Sequence, residues 1–260
     1  MAPNVHLLSF ASSRIGSLSR LRSEAIALDC FSSITLLTSK DLGADYWKVC
    51  GDFVRTHPRR GFGFWTWKPY IIHRHLSTLP QGDVLLYIDA GCSLNAEGMA
   101  RFRNYVARAT SHPSGWFVFE TGHSIGVYTK RSLLQKHLAD NPADRNLPML
   151  WAGGQFIVAQ SENINLAKLW FESMNERSMI DDSPAVDEVD GFIAHRHDQS
   201  VFSILAHRHG VDHIKNETEW EPDWSTHLDY PIHARRWKHR IGWPTHWLRS
   251  PWVGRILRRI

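Results

Sequence analysis

Short apolar runs alternate along the chain with longer stretches in which an apolar residue recurs every three or four positions. "NVHLLSF" (4–10) predicts a buried strand. "SLSRLRSEAIALDCF" (17–31) puts Leu18, Leu21, Ala25 and Leu28 on one helical face, with Ser17 as its cap. "SSITLLT" (32–38) predicts a strand, and "KDLGADYWKVCGDFV" (40–54) a helix weakened by Gly43 and ended near Gly51. Pro69 suits the first turn of a helix over "KPYIIHRHLSTL" (68–79), and "DVLLYID" (83–89) is apolar almost throughout, as in a strand covered on both faces. The alternation continues with a helix over 97–109, a strand over 115–120, a helix over 130–140 and a strand over 153–160. A helix over 161–178 capped by Ser161, an acidic loop at 181–191, a helix over 198–210 and a short strand over 211–215 complete it.

Strand and helix in regular succession predict one Rossmann-like α/β domain, its central sheet mostly parallel and flanked by helices. With 260 residues, 43% hydrophobic and 22% charged, the chain has the composition of an ordinary globular protein able to form a core. Cys30, Cys50 and Cys92 are odd in number and widely spaced, which predicts free thiols in a reducing compartment rather than a zinc site. No secretory leader and no run of about 18 apolar residues is present, so the expected location is cytoplasmic.

The net charge of +4 is unevenly spread: eight of the 30 Lys and Arg, and no acid, lie in residues 231–260, leaving 22 basic against 26 acidic residues in 1–230. Two units are therefore expected, a mildly acidic body over 1–230 and a basic tail over 231–260 that also holds Trp237, Trp243, Trp247 and Trp252. In "WVGRILRRI", Trp252, Val253, Ile256, Leu257 and Ile260 share one helical face and Arg255, Arg258 and Arg259 the other, the pattern of a helix lying on an anionic membrane surface. The same residues also suit a helix docked on the body. Nucleic acid is not the expected partner, because the body is acidic and no nucleic-acid motif accompanies the tail.

Four stretches carry candidate chemistry. Asp89 ends an apolar strand, where ligands of open α/β sheets collect, and Ala90-Gly91 after it permits a sharp turn and close approach. The acid either caps that turn or holds a ligand or cation. In "RRGFGFWTWK" (59–68), Arg59, Arg60 and Lys68 could neutralise a diphosphate that Gly61 and Gly63 admit; a loop with surface charges and packing tryptophans reads equally well. "WAGGQFIVAQ" (151–160) sets Gly153 and Gly154 before a strand, as room for a sugar or as a turn. "HRHDQSVFSIL" (195–205) starts a helix with Asp198 and Gln199, and His195 and His197 alternate as metal ligands on a strand would.

Together these stretches resemble a known group of enzymes. "GDVLLYIDAGCSLN" resembles the strand bearing the acidic motif of GT-A-fold nucleotide-sugar glycosyltransferases, and "RGFGFWTWKPYII" the GYWxWKP-like signature of enzymes from bacterial surface-polysaccharide gene clusters. "HDQSVFSIL" resembles the Asp-Gln motif of family 8 retaining transferases, and "AGGQFIV" the glycine-containing strand before it. The resemblance implies a GT-A-like fold, a nucleotide-sugar donor and a saccharide or lipid-linked acceptor. It implies Asp198 and Gln199 beside the anomeric carbon as catalytic residues. A donor site of Ser9, Arg60, Gly63, Lys68, Asp89, Ala90, Gly91, Gly154, His233 and Arg235 is expected with them. It further implies a manganese or magnesium ion on Asp89 and His233. Yet the second acid of the usual Asp-x-Asp pair is Gly91 here, and the next residue, Cys92, is a soft ligand, so Arg60, Lys68 and the tail arginines are the alternative counter-charge. Two other readings remain open at this point: a metal-dependent hydrolase built on His195, His197 and Asp198, and a non-enzymatic basic protein that binds membranes through its tail.

Overall fold

The computed structural model describes residues 3–13, 15–137, 142–184, 187–218 and 224–235. The amphipathic stretch 252–260 and the tail tryptophans lie outside the described residues. A seven-stranded sheet forms the centre, in the order β2 (Ser33–Leu37), β1 (Val5–Phe10), β3 (Val84–Ile88), β7 (Gly154–Val158), β5 (Trp116–Ser124), β6 (Pro148–Leu150), with β8 (Asp212–Ile214) also paired to β5. β1, β2, β3, β5 and β8 point one way, whereas β6 and β7 run against them, so the expected mostly parallel α/β sheet is what forms.

The side-chain period of two divides each strand between two cores. Leu8, Phe10, Leu85 and Tyr87 enter the larger one, under the helices Ala44–Thr56, Trp67–Leu76, Ser161–Ser173 and Asp198–Arg208. Val5, Leu7, Val84, Leu86 and Ile88 enter the other, under the helices Ile15–Leu28 and Met99–Ser111. Because β1 and β3 are parallel, their carboxyl ends lie side by side at one edge, and β7 starts beside them with Gly154 opposite Ile88.

Several local expectations shift. The first helix starts at Ile15, so Ser17 is buried inside it rather than capping it. The stretch 40–54 divides into a turn of 3₁₀-helix at Ser39–Asp41 and a helix from Ala44 that runs through Gly51 to Thr56. Gly51 costs about 1 kcal/mol against alanine, less than the burial of Tyr46, Cys50, Phe53 and Val54 on the same helix returns. Ser161 is the first helical residue after the cap Gln160, and that helix stops at Ser173. The segment 148–158 follows β5 antiparallel in two pieces, β6 and β7, interrupted by an excursion at Trp151, Ala152 and Gly153. β9 (Ile232–His233) pairs with β4 (Ser93–Leu94), so the chain stays on the body past residue 230. Among the described residues no helix is long and apolar enough to cross a membrane.

Candidate active site

β3 delivers its terminal acid into a turn that is already closed by the backbone. The Asp89 N–H donates to the Gly153 carbonyl at 2.8 Å, and the Asp89 carbonyl accepts from the Cys92 N–H at 2.9 Å. The Ser9 hydroxyl holds the preceding Ile88 carbonyl at 2.7 Å. From below, Arg20 donates to the carbonyls of Ala90 and Cys92, while its ion-pair partner Glu24 accepts from the Leu94 N–H at 2.9 Å. The Asp89 carboxylate is thus not needed as a cap. Its Oδ1 accepts from the Tyr87 hydroxyl at 2.6 Å and lies 3.3 Å from the Lys68 ammonium.

Lys68 reaches that point by an unusual backbone path. Gly61, Phe62, Gly63, Phe64 and Trp65 all have φ between +53° and +80°. Each left-handed non-glycine residue costs about 1–2 kcal/mol. Burying a large apolar side chain returns about 1.5–3 kcal/mol, and the aromatic side chains are placed to do so. Phe64 is buried on Phe53 with ring centroids 5.2 Å apart, Phe62 lies 6.3 Å from Phe10, and Trp65 stacks on His197 at 5.5 Å. Trp67 stacks on Phe10 at 4.1 Å and donates from Nε1 to the Gly61 carbonyl at 3.0 Å. Gly63 is favoured twice over, since its φ is +80° and a Cβ there would lie 2.7 Å from Val54 Cγ2. The tight cluster of aromatics and glycines in the sequence is therefore the anchor of a left-handed turn that aims the next residue but two, Lys68, inward.

The second acid comes from a helix start far along the chain. His197, at φ +52°, caps the helix Asp198–Arg208. Asp198 is buried, its carbonyl accepts from Trp170 Nε1 at 3.1 Å, and its Oδ2 lies 2.8 Å from Lys68 Nζ. Gln199 Oε1 accepts from the Ala152 N–H at 3.4 Å, which ties the helix to the excursion between β6 and β7. One ammonium, with only 4% of its side chain exposed, therefore joins Asp89 (38% exposed) to Asp198 (6% exposed). Burial pushes the Asp198 carboxyl up to about 6, against the pull of Lys68. Burial also opposes the charge on Lys68, but Asp198 and Asp89 outweigh it and hold the ammonium above the ordinary lysine value. Burial, reinforced by Asp89, keeps the Tyr87 hydroxyl and the Cys92 thiol protonated.

Ser9, Lys68, Asp89, Ala90, Gly91, Gly154, Asp198 and Gln199 thus gather at the carboxyl edge of the sheet. Gly63 acts on the site through the backbone path of Lys68, and a side chain at Gly154 would meet the Trp151 ring 2.4 Å away. Arg60 turns to the acidic loop and pairs with Asp182 at 2.8 Å, its other contact being His197 Nε2 at 3.2 Å. His233 has both ring nitrogens engaged, by Arg235 at 3.0 Å and by the His227 carbonyl at 3.2 Å, and burial followed by Arg235 pushes its pKa down to about 4. His195 Nδ1 accepts from the Lys130 N–H at 3.3 Å and His197 Nδ1 bonds the Ile180 carbonyl at 2.7 Å, so the three residues of the hydrolase reading face three different partners.

Residues outside the expected set complete the site. Tyr87 could have been found, because residues i and i+2 of a strand share a face. Gly153, marked with Gly154 by the glycine pair before the strand, would place a Cβ 2.8 Å from Asp89 Oδ2, whereas Trp170, Arg20 and Glu24 carry no local signal.

The donor set fits a hard divalent cation poorly, because even an ion that keeps water and substrate phosphates as ligands needs one or two carboxylates free to hold it. Asp89 offers one carboxylate with Oδ1 already serving Tyr87 and Lys68, the second acid position is Gly91, and Cys92 is a buried thiol. Among the described residues no group of three His, Cys, Asp or Glu side chains converges as metal ligands, so the manganese or magnesium expected on Asp89 and His233 has no such seat there.

No protein-family model and no curated protein sequence matches the chain. Among solved structures it is similar to a glycosyltransferase involved in the glycosylation of the major capsid of PBCV-1, at 12% identity and TM-score 0.48, over 94% of this chain and 98% of that one. It is also similar to mouse xyloside xylosyltransferase 1 at 12% identity and TM-score 0.45, over 89% and 97% of the two chains. The galactosyltransferase LgtC, solved with donor and acceptor sugar analogues, follows at 11% identity and TM-score 0.44, over 91% and 87%. These likenesses are too distant to transfer a role to any residue.

Proposed function

We propose that the protein is a glycosyltransferase that moves a sugar from a nucleotide diphosphate sugar to a saccharide or lipid-linked acceptor in polysaccharide or glycolipid assembly, of which lipopolysaccharide and capsule are examples. The observation that carries this reading is the Lys68 ammonium joined to Asp89 and Asp198 at the carboxyl edge of the sheet, where open α/β folds take their ligands.

In the reaction the bond from the anomeric carbon to the diphosphate oxygen breaks, and its electron pair leaves with the diphosphate. Positive charge develops on the sugar and negative charge on the leaving group. A fixed carboxylate facing the first and cations facing the second lower the barrier because they are oriented before the reaction starts. Asp198, held by Lys68 and by the Trp170 bond to its carbonyl, is the carboxylate beside the sugar, and Gln199 lies next to it. The acceptor oxygen bonds the anomeric carbon from the side the diphosphate leaves, which then takes the acceptor's proton, so the configuration is retained. Support for retention is the likeness of Asp198-Gln199 to the family 8 motif. Support for a peripheral position on the cytoplasmic membrane face is the tail pattern of Trp252, Ile256 and Leu257 opposite Arg255, Arg258 and Arg259.

The test is release of nucleoside diphosphate from a panel of UDP-, GDP-, CDP- and dTDP-activated sugars, with saccharide acceptors. Release from one donor, lost in Asp198→Ala, is the expected result. No release from any donor, with or without manganese, rejects the reading.

A further inference from the structure

The turn at Asp89–Cys92 has a cation on each side. Lys68 lies against the Asp89 carboxylate at 3.3 Å, and Arg20 donates to the Ala90 carbonyl at 3.0 Å and to that of Cys92. A third cation, Arg235, is exposed and donates to His233, on the strand that pairs with Ser93 just past the turn. The charges felt by Arg235 are those of Glu24 and Arg20, and among the described residues no carboxylate pairs with it. Lys68 Nζ forms ion pairs with Asp198 Oδ2 at 2.8 Å and Asp89 Oδ1 at 3.3 Å.

A metal ion on Asp89 Oδ2 would share that carboxylate with the Lys68 ammonium, which lies 3.3 Å from Oδ1, and like charges on one carboxylate repel. Lys68 has nowhere to go. It sits in the first turn of the helix Trp67–Leu76 with its side chain 4% exposed, and its Nζ lies 6.0 Å from the Trp67 ring centre and 5.6 Å from that of Tyr87. Lysine is a point charge and arginine a fork, and both bind phosphate oxygens.

We propose that this site binds the diphosphate of its donor without a divalent cation, the positive charge coming from the Lys68 ammonium and the guanidinium of Arg235. The inference rests on the transferase reading. It is tested by titration calorimetry on the full chain, with MnCl₂ alone, MgCl₂ alone, and UDP, GDP, CDP and dTDP each in EDTA and in manganese. Expected are no heat from either metal alone and one nucleotide binding equally well in EDTA and in manganese. That binding should weaken about tenfold in Lys68→Met and several-fold in Arg235→Met. Lys68→Met removes a buried charge, so if it fails to fold, Arg235→Met and the wild-type EDTA comparison decide. Stoichiometric manganese binding, or nucleotide binding only with metal, overturns the inference and leaves the transferase reading standing. Failure of every nucleotide in both conditions overturns both.

Discussion

Lys68 Nζ lies 2.8 Å from Asp198 Oδ2, and both side chains are all but closed to solvent. Breaking a buried pair from one side leaves a bare charge and costs about 3–5 kcal/mol. Lys68→Met should therefore lower the stability of the protein by that order in urea denaturation, whereas Asp89→Ala, at a carboxylate 38% exposed, should cost far less. Asp89→Ala should nevertheless abolish transfer. Undiminished turnover in a folded Asp89→Ala protein removes Asp89 from the mechanism.

Asp198 gives a pH signature. Its folded pKa, about 6, lies above the unfolded value of 3.8, so the unfolded chain loses this proton first as pH rises. The stability contributed by that difference is present below 3.8 and is lost as pH rises through about 6. Wild-type stability should fall across this window, and Asp198→Asn should flatten the fall. Parallel pH profiles of the two proteins in chemical denaturation would contradict the assignment.

Glycines sort by their surroundings. Gly63→Ala should destabilise by the strain of a positive φ, about 1–2 kcal/mol, plus the clash with Val54, and should reduce activity by shifting Lys68. Gly82→Ala, at φ +90° with nothing within 4 Å of a new Cβ, should show the strain alone and keep full activity. Urea midpoints and initial rates of the two variants, compared side by side, check this.

Gly153→Ala introduces a methyl 2.6 Å from the Trp151 ring and 2.8 Å from Asp89 Oδ2. Activity should drop more than stability does, because the displaced group is the partly exposed acid. A rate loss no larger than that of Gly82→Ala would show that Asp89 tolerates the shift.

Deleting residues 245–260 should reduce sedimentation with anionic vesicles while activity on a soluble acceptor stays near the full-length value. Equal partitioning of the two proteins dismisses the membrane role of the tail.

The layered α/β order was legible because alternating apolar runs and helical faces report burial directly, as at Val84–Ile88 and Leu18–Ala25. Asp89 and Asp198 stood out as acids at the ends of apolar patterns. Their union through Lys68 was not legible, because an ion pair between distant residues leaves no periodic trace. Positive φ values at Phe62, Phe64 and Trp65 run against the preferences of those residues and follow from aromatic contacts made elsewhere, so a local reading cannot find them. Gly51 misled for the opposite reason: its local propensity was sound, and tertiary packing overrode it.

The cation that unites the site also sets when the site can exist. Lys68 and Asp89 leave the ribosome together, whereas Asp198 follows more than a hundred residues later. Until then the ammonium has Asp89 alone as its anionic partner. The pairing that unites the site thus waits for residue 198 to be made, and a product cut short before it lacks one of the two acids that hold Lys68.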